Sequence, residues 1–175
     1  MSQITDFFTK NGTDDSGRDL QNMLDMSDSQ LEATHDCIQW IFPLHEKSYH
    51  SRSSPVLSQE DIEILKSNDD AVENMKMLLK RFSMFLGVME YEDKNKHYFW
   101  AHTGNHNLLR ITRAIRSLRI FGLDKEASDF HAEVTKVAKI NQVHNSTFEY
   151  WDDALNKDIN CSMTDKFLED RRIEL

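Results

Sequence analysis

Cysteine, proline and glycine are scarce in this chain: two, two and five among 175 residues. Cys37 and Cys161 stand far apart, without the CxxC spacing of a zinc or redox motif. So little glycine and proline argues against the many turns of a β-sandwich or barrel, and for helices. Long apolar runs are missing too. The longest, "IQWIFPL" and "FSMFLGVM", fall far short of the roughly 18 residues that mark a membrane span. The N-terminal "MSQITDFFTK" has neither the basic nor the apolar region of a secretory signal. A reduced, cytosol-like compartment is the expectation, with the sequons at Asn11, Asn145 and Asn160 as chance matches. Positive charge is short as well. Lys and Arg number 21 against 30 Asp and Glu, a formal net charge of −9, whereas a nucleic-acid partner needs a broad basic surface.

What is present suits one globular domain with a real core: 39% hydrophobic residues, 10% aromatics and no internal repeat. The polar stretch "NGTDDSGR" suggests that residues 1–18 are a loosely attached lead-in to a helical domain over 19–175. Six to eight helices are expected. Ser27-x-x-Gln30 reads as a capping box for a helix running to about Ile41, which Pro43 stops. Ser58 opens a short helix, and Asn68 or Asp69 opens the longest. In that one, Val72, Met75, Leu79, Phe82, Leu86 and Met89 make a single stripe. Residues 90–104 form the one long irregular loop, in which "HYFW" is a candidate short strand. Asn105 and Gly122 bracket the next helix, Asp124 caps another, and Ser146-x-x-Glu149 starts a further one. A frayed helix is expected from Thr164. The fold class is all-α.

One segment stands out against the acidic background. "HNLLRITRAIRSLRIFGL" carries Arg110, Arg113, Arg116 and Arg119 with no acid between them. At about 100° per residue, Leu108, Ile111, Ala114, Ile115 and Leu118 form an ordinary core face. Leu109 and Ile120 fall among the arginines, on the opposite side, so the helix reads as covered all round. A covered guanidinium needs a carboxylate, backbone carbonyls or a bound anion. Asp36, at the edge of the arc that holds Trp40, is the nearest candidate acid; Asp152 and Asp153 are others. Three readings stay open: structural ion pairs, a pocket where Arg110, Arg113 and His106 take a carboxylate or phosphate, and a nucleic-acid stripe.

Other chemistry finds less support. There is no HExxH, P-loop, G-x-G-x-x-G or G-x-S-x-G, and no third ligand for His102 and His106, so no metal, cofactor or catalytic residue is expected. Cys37 lies among apolar neighbours as an inert thiol. Trp40 and Trp151 read as core anchors, and Trp100, beside the arginine helix, as a candidate cleft wall. The methionines of the long helix are core filling or an adaptable partner surface.

Two motifs, "HDCIQWIFPLHE" over residues 35–46 and "HNLLRITRAIRSLRIFGL" over 106–123, resemble the conserved domain of the opioid growth factor receptor family. "MLLKRFSMFLGV" and "STFEYWDDAL" resemble that family's intervening and later segments, so the likeness runs from about Leu20 to Leu155. The resemblance implies an all-helical, non-enzymatic module that binds a short enkephalin-type peptide or a protein segment. It also implies an association with the nuclear periphery without a membrane span. The motif positions are Asp36, Gln39, Trp40, Phe42 and Pro43, with His106, Asn107, Arg110, Thr112 and Arg113. With Trp100, the expected contact group is Asp36, Trp40, His106, Asn107, Arg110 and Arg113. An enzyme using His102 or His106 with Arg110 on an anionic small molecule is the alternative, and a scaffold whose acidic surface meets a basic protein is the third.

Overall fold

A computed structural model describes residues 2–47, 54–89 and 98–160. Nine helices lie among them: α1 (Gln3–Thr9), α2 (Leu20–Asp25), α3 (Asp28–Ala33), α4 (Ile38–Ile41), α5 (Gln59–Ser67), α6 (Asp69–Leu86), α7 (Asn107–Ile120), α8 (Asp124–Ile140) and α9 (Asn145–Asn156). No strand occurs among the described residues beyond one isolated bridge, Leu44 to Val56. The fold is all-α, with more and shorter helices than the sequence suggested.

The first four explain the difference. The Ser27–Gln30 capping box is formed, but α3 stops at Ala33 because Thr34, His35 and Asp36 are weak helix formers. Thr34 turns to extended geometry, and the chain re-enters a helix only at Ile38. Phe42, before Pro43, leaves the α region at φ −127° and ψ 75°, as the proline ring demands. The expected lead-in is tied down instead of loose. Residues 3–9 form α1, and Ile4, Phe7 and Phe8 are all buried in the common core. Phe7 meets Trp40 and Phe8 meets Phe121. Burial of Phe7 and Phe8 is what seats this seven-residue helix on the core.

The long elements follow their signals. Asn68 caps α6, accepting the Ala71 N–H at 2.9 Å. Both α6 and α7 end in Schellman turns. Gly87 and Gly122 take φ of 69° and 76° there, while the Val88 and Leu123 N–H groups close back on Ser83 and Leu118. Asn105 does receive the Asn107 N–H at 2.8 Å, although the residue flanking α7 is His106. Asp124 is the first residue of α8, not its cap, and α9 is capped by His144, whose Nδ1 accepts the Ser146 N–H. The "HYFW" strand falls partly outside the described residues, and Tyr98–Trp100 are not strand. The helix expected from Thr164 lies wholly outside them.

α7 is the centre of the molecule. Eleven of its fourteen residues are buried, and it packs against α8 and α9 while its arginines reach the loops around α3 and α4. Ile120 is buried as expected, but Leu109 is 39% exposed, so the cover is open at that one place.

Candidate functional site

A helix end leaves its last carbonyls without intrahelical donors. Where α3 stops, those of Leu31 and Thr34 point at α7. Arg110 meets them: its Nη1 donates to Leu31 O at 2.8 Å and its Nη2 to Thr34 O at 3.3 Å. The same guanidinium reaches Asn107 Oδ1 at 3.3 Å and His35 Nδ1 at 3.4 Å. Asn107 is fully buried and relays the contact, its Nδ2 donating to Glu32 Oε2 at 3.0 Å. The other carboxylate oxygen of Glu32 lies 3.4 Å from His106 Nε2. The rings of His35 and His106 meet edge to face, 5.4 Å between centroids.

The result is a patch of one carboxylate and two imidazoles standing on a buried polar relay. The Glu32 and His106 side chains are 39% and 40% exposed, whereas Arg110 beneath them is 6% exposed. Burial is the largest influence on His106 and lowers its pKa; Glu32 opposes this, and Arg110 and His35 add to it. At neutral pH the ring is therefore an uncharged imidazole. Burial likewise lowers the Arg110 pKa, against Cys37 and Glu32.

The remaining arginines do the same work elsewhere. Arg113 Nε donates to Phe42 O at 2.7 Å, at the end of α4. Burial pushes its pKa down to about 10 against the pull of Glu46, and its Nη2 is buried without a hydrogen-bond partner. Arg119 Nη1 donates to Ala154 O and Lys157 O, at 3.1 and 2.6 Å, where α9 ends. Arg116, 1% exposed, donates to Ile159 O at 2.9 Å and lies 3.6 Å from Glu46. Ser117 adds a bond to Pro43 O. So α7 acts as a clasp, its cations placed against the carbonyl ends of α3, α4 and α9, where the helix dipoles favour positive charge.

Carbonyls, not Asp36, are thus the main partners. Asp36 is half exposed and binds Arg18 at 3.0 Å and Ser16 at 3.3 Å, because the break after α3 turns it away from the face a continuous helix would give it. Trp40 is buried against Phe7. Trp100 is fully buried, not a cleft wall: its indole N–H is held by Leu86 O at 2.8 Å and its ring lies against Trp151. His102 is exposed and contacts Asn105 and Thr103. Sequence reasoning overlooked Glu32 and His35. Their signal was the run Thr34-His35-Asp36, which ends α3 and leaves Glu32 in its last turn. Two shallow surface depressions, of about 310 and 320 Å³, lie elsewhere: one around Lys139, His144 and Phe148, the other around Arg18, Asn22 and Met26. Among the described residues no helix is long and apolar enough to cross a membrane. No group of three His, Cys, Asp or Glu among them is arranged to hold a metal ion.

A protein-family model described as the opioid growth factor receptor (OGFr) conserved region matches residues 16–167. The chain is 31% identical to the mouse opioid growth factor receptor over 149 residues, covering 75% of this chain and 23% of the mouse protein. Identity to the human receptor is 30% over 118 residues, or 60% of this chain and 17% of that protein. Identity to opioid growth factor receptor-like protein 1 of Xenopus tropicalis is 32% over 105 residues, or 54% of this chain and 20% of that one. The aligned region spans less than a quarter of the length of these relatives. No solved structure matches the chain.

Proposed function

The chain belongs to the family defined by the opioid growth factor receptor conserved region, and from that premise we propose that it is a non-enzymatic binding module for a short peptide or protein segment. The mouse and human relatives are named as receptors for an opioid growth factor, and the ligand class proposed for this chain is an enkephalin-type peptide. The observation that carries the reading is how the second family motif meets the end of α3, just where the first motif begins. Arg110 and Asn107 knit residues 31–35 to the start of α7, and the side chains left half open at that seam are Glu32, His35 and His106. A rigid buried base under a few exposed polar and aromatic groups is the arrangement that holds a ligand at small ordering cost.

The contact group narrows accordingly. His106 and Glu32 face the ligand, with His35 beside them and the exposed Leu109 as an apolar neighbour on α7. Asn107 and Arg110 hold these side chains from beneath. Arg113, Trp40 and Trp100 serve the core. An enzyme reading is less well supported, because the Arg110 donors it needs for an anion are engaged by the Leu31 and Thr34 carbonyls.

Calorimetric titration with an enkephalin-type pentapeptide tests the proposal. Heat with saturation at millimolar peptide or below, about 4 kcal/mol of binding or more, is expected. His106→Ala and Glu32→Gln should remove it while leaving the thermal melt within about 0.5 kcal/mol of the parent, as surface changes do. Absence of heat from the parent chain refutes the peptide reading.

A further inference from the structure

The turn after α1 joins a reactive dipeptide to a load of buried aromatics. Asn11 is exposed and takes φ +58°, a left-handed geometry that asparagine tolerates better than most side chains. Gly12 follows it, and its N–H donates to Asp6 O, inside α1, at 3.0 Å. That approach is tight. A Cβ at position 12 would sit 2.7 Å from Asp6 C and from Phe7 N, so only glycine fits. Further along, Asn74 on α6 donates to Phe8 O at 2.8 Å, and Gln3 to Thr13 O at 3.0 Å, holding the helix and its return loop in place.

Asparagine followed by glycine is the pair whose side-chain amide is most open to attack by the next backbone nitrogen. We propose that Asn11–Gly12 is a succinimide-forming modification site that the seating of α1 holds shut. In the reaction the Gly12 amide nitrogen gives its proton to solvent base and bonds to Asn11 Cγ, while the bond to the side-chain nitrogen breaks and ammonia leaves. Water then opens the ring at one carbonyl or the other, to isoaspartate or aspartate. With α1 seated, the nucleophile is occupied: the hydrogen on the Gly12 nitrogen lies on Asp6 O, and the turn is held in the geometry that keeps it there. The site reacts only in the fraction of molecules in which this turn has opened.

The product reinforces the opening. Isoaspartate lengthens the main chain where the approach to Asp6 and Phe7 is closest, and either product puts a carboxylate at the carbonyl end of α1, where the helix dipole disfavours it. Conversion therefore turns a transient release of Phe7 and Phe8 into a lasting one.

The test is ageing in mildly alkaline buffer, with the chain folded or in strong urea. Trypsin cuts after Lys10 and Arg18 and releases residues 11–18, in which mass and retention separate asparagine, aspartate and isoaspartate. The folded chain should convert roughly tenfold more slowly than the unfolded one, or slower still. Asn74→Ala, which removes only the Phe8 O contact, should speed conversion in a chain whose far-ultraviolet signal and melt show it still folded. Phe8→Ala should bring the rate close to that of the unfolded chain. Equal rates in the folded and unfolded parent overturn the proposal, and so does a folded Asn74→Ala variant that ages at the parent rate.

Discussion

α6 and α7 are the two helices that end in Schellman glycines, yet they solve opposite problems. α6 buries seven of eighteen residues, presents one apolar stripe, and leaves Met77 and Met84 at 39% and 57% exposure. α7 buries eleven of fourteen, and two of those are arginines. On α6 most polar residues go to water, with two exceptions: Arg81 donates to Met26 O at the end of α2, and Asn74 to Phe8 O near the end of α1. On α7 the guanidiniums of Arg110, Arg113 and Arg119 go to the ends of other helices, replacing donors that carbonyls lost when their own helices stopped, while Arg116 meets Ile159 O beyond α9. The lesson is that charge on a central helix need not mean a ligand. It can mean that several short helices end nearby.

The sharpest way to break this contrast is to delete cations from both helices. Arg110→Ala strands two carbonyls and should cost more than about 2 kcal/mol, seen as a lower thermal midpoint. Lys80→Ala on the exposed face of α6 should stay within about 0.5 kcal/mol. Next come the two glycines. Gly122→Ala should cost about 1–2 kcal/mol by urea unfolding, because φ is +76° and the new Cβ meets Lys66 Cε at 3.3 Å; Gly87→Ala, at φ 69°, should cost about 1 kcal/mol.

Smaller still is the effect of pH at the α7 start. The folded chain holds the His106 pKa below its unfolded value of about 6.5, so the unfolded chain binds more protons across that window. Stability should therefore rise with pH through the window and fall on acidification. His106→Gln should flatten this slope in melts taken at several pH values, leaving the part due to His45, whose pKa burial and Arg116 also lower. The smallest effect is expected from Met77→Ala and Met84→Ala, within about 0.5 kcal/mol each if α6 faces only water.

The same two helices show what was legible in the sequence. α6 could be read from its Asn68 cap and its stripe, which are local signals, but the stripe runs on to Met89 in the sequence whereas Gly87 stops the helix at Leu86. The angular pattern of α7 gave its covered state, and Leu109 was the one exception. Its partners were hidden because a backbone carbonyl belongs to no residue type: nothing in Leu31, Phe42 or Ala154 announces an acceptor. The break after Ala33 mattered more. A helix continued to Ile41 puts Asp36 beside Trp40 and facing α7, whereas the observed break sends Asp36 to Arg18 and brings Glu32 and His35 to the seam. The candidate site was thus half legible, His106 and Asn107 from the motif, and the other half only from the fold.

Carbonyl partners and carboxylate partners differ in one measurable respect, the response to salt. Ion pairs near the surface weaken as ionic strength rises, while buried bonds to neutral carbonyls do not. The decisive measurement is the stability lost in Arg110→Ala, taken by urea unfolding at low and at molar salt. A loss of more than about 2 kcal/mol that stays the same at both is the predicted result. A loss that fades in high salt, or an Arg110→Ala chain as stable as its parent, would contradict the clasp.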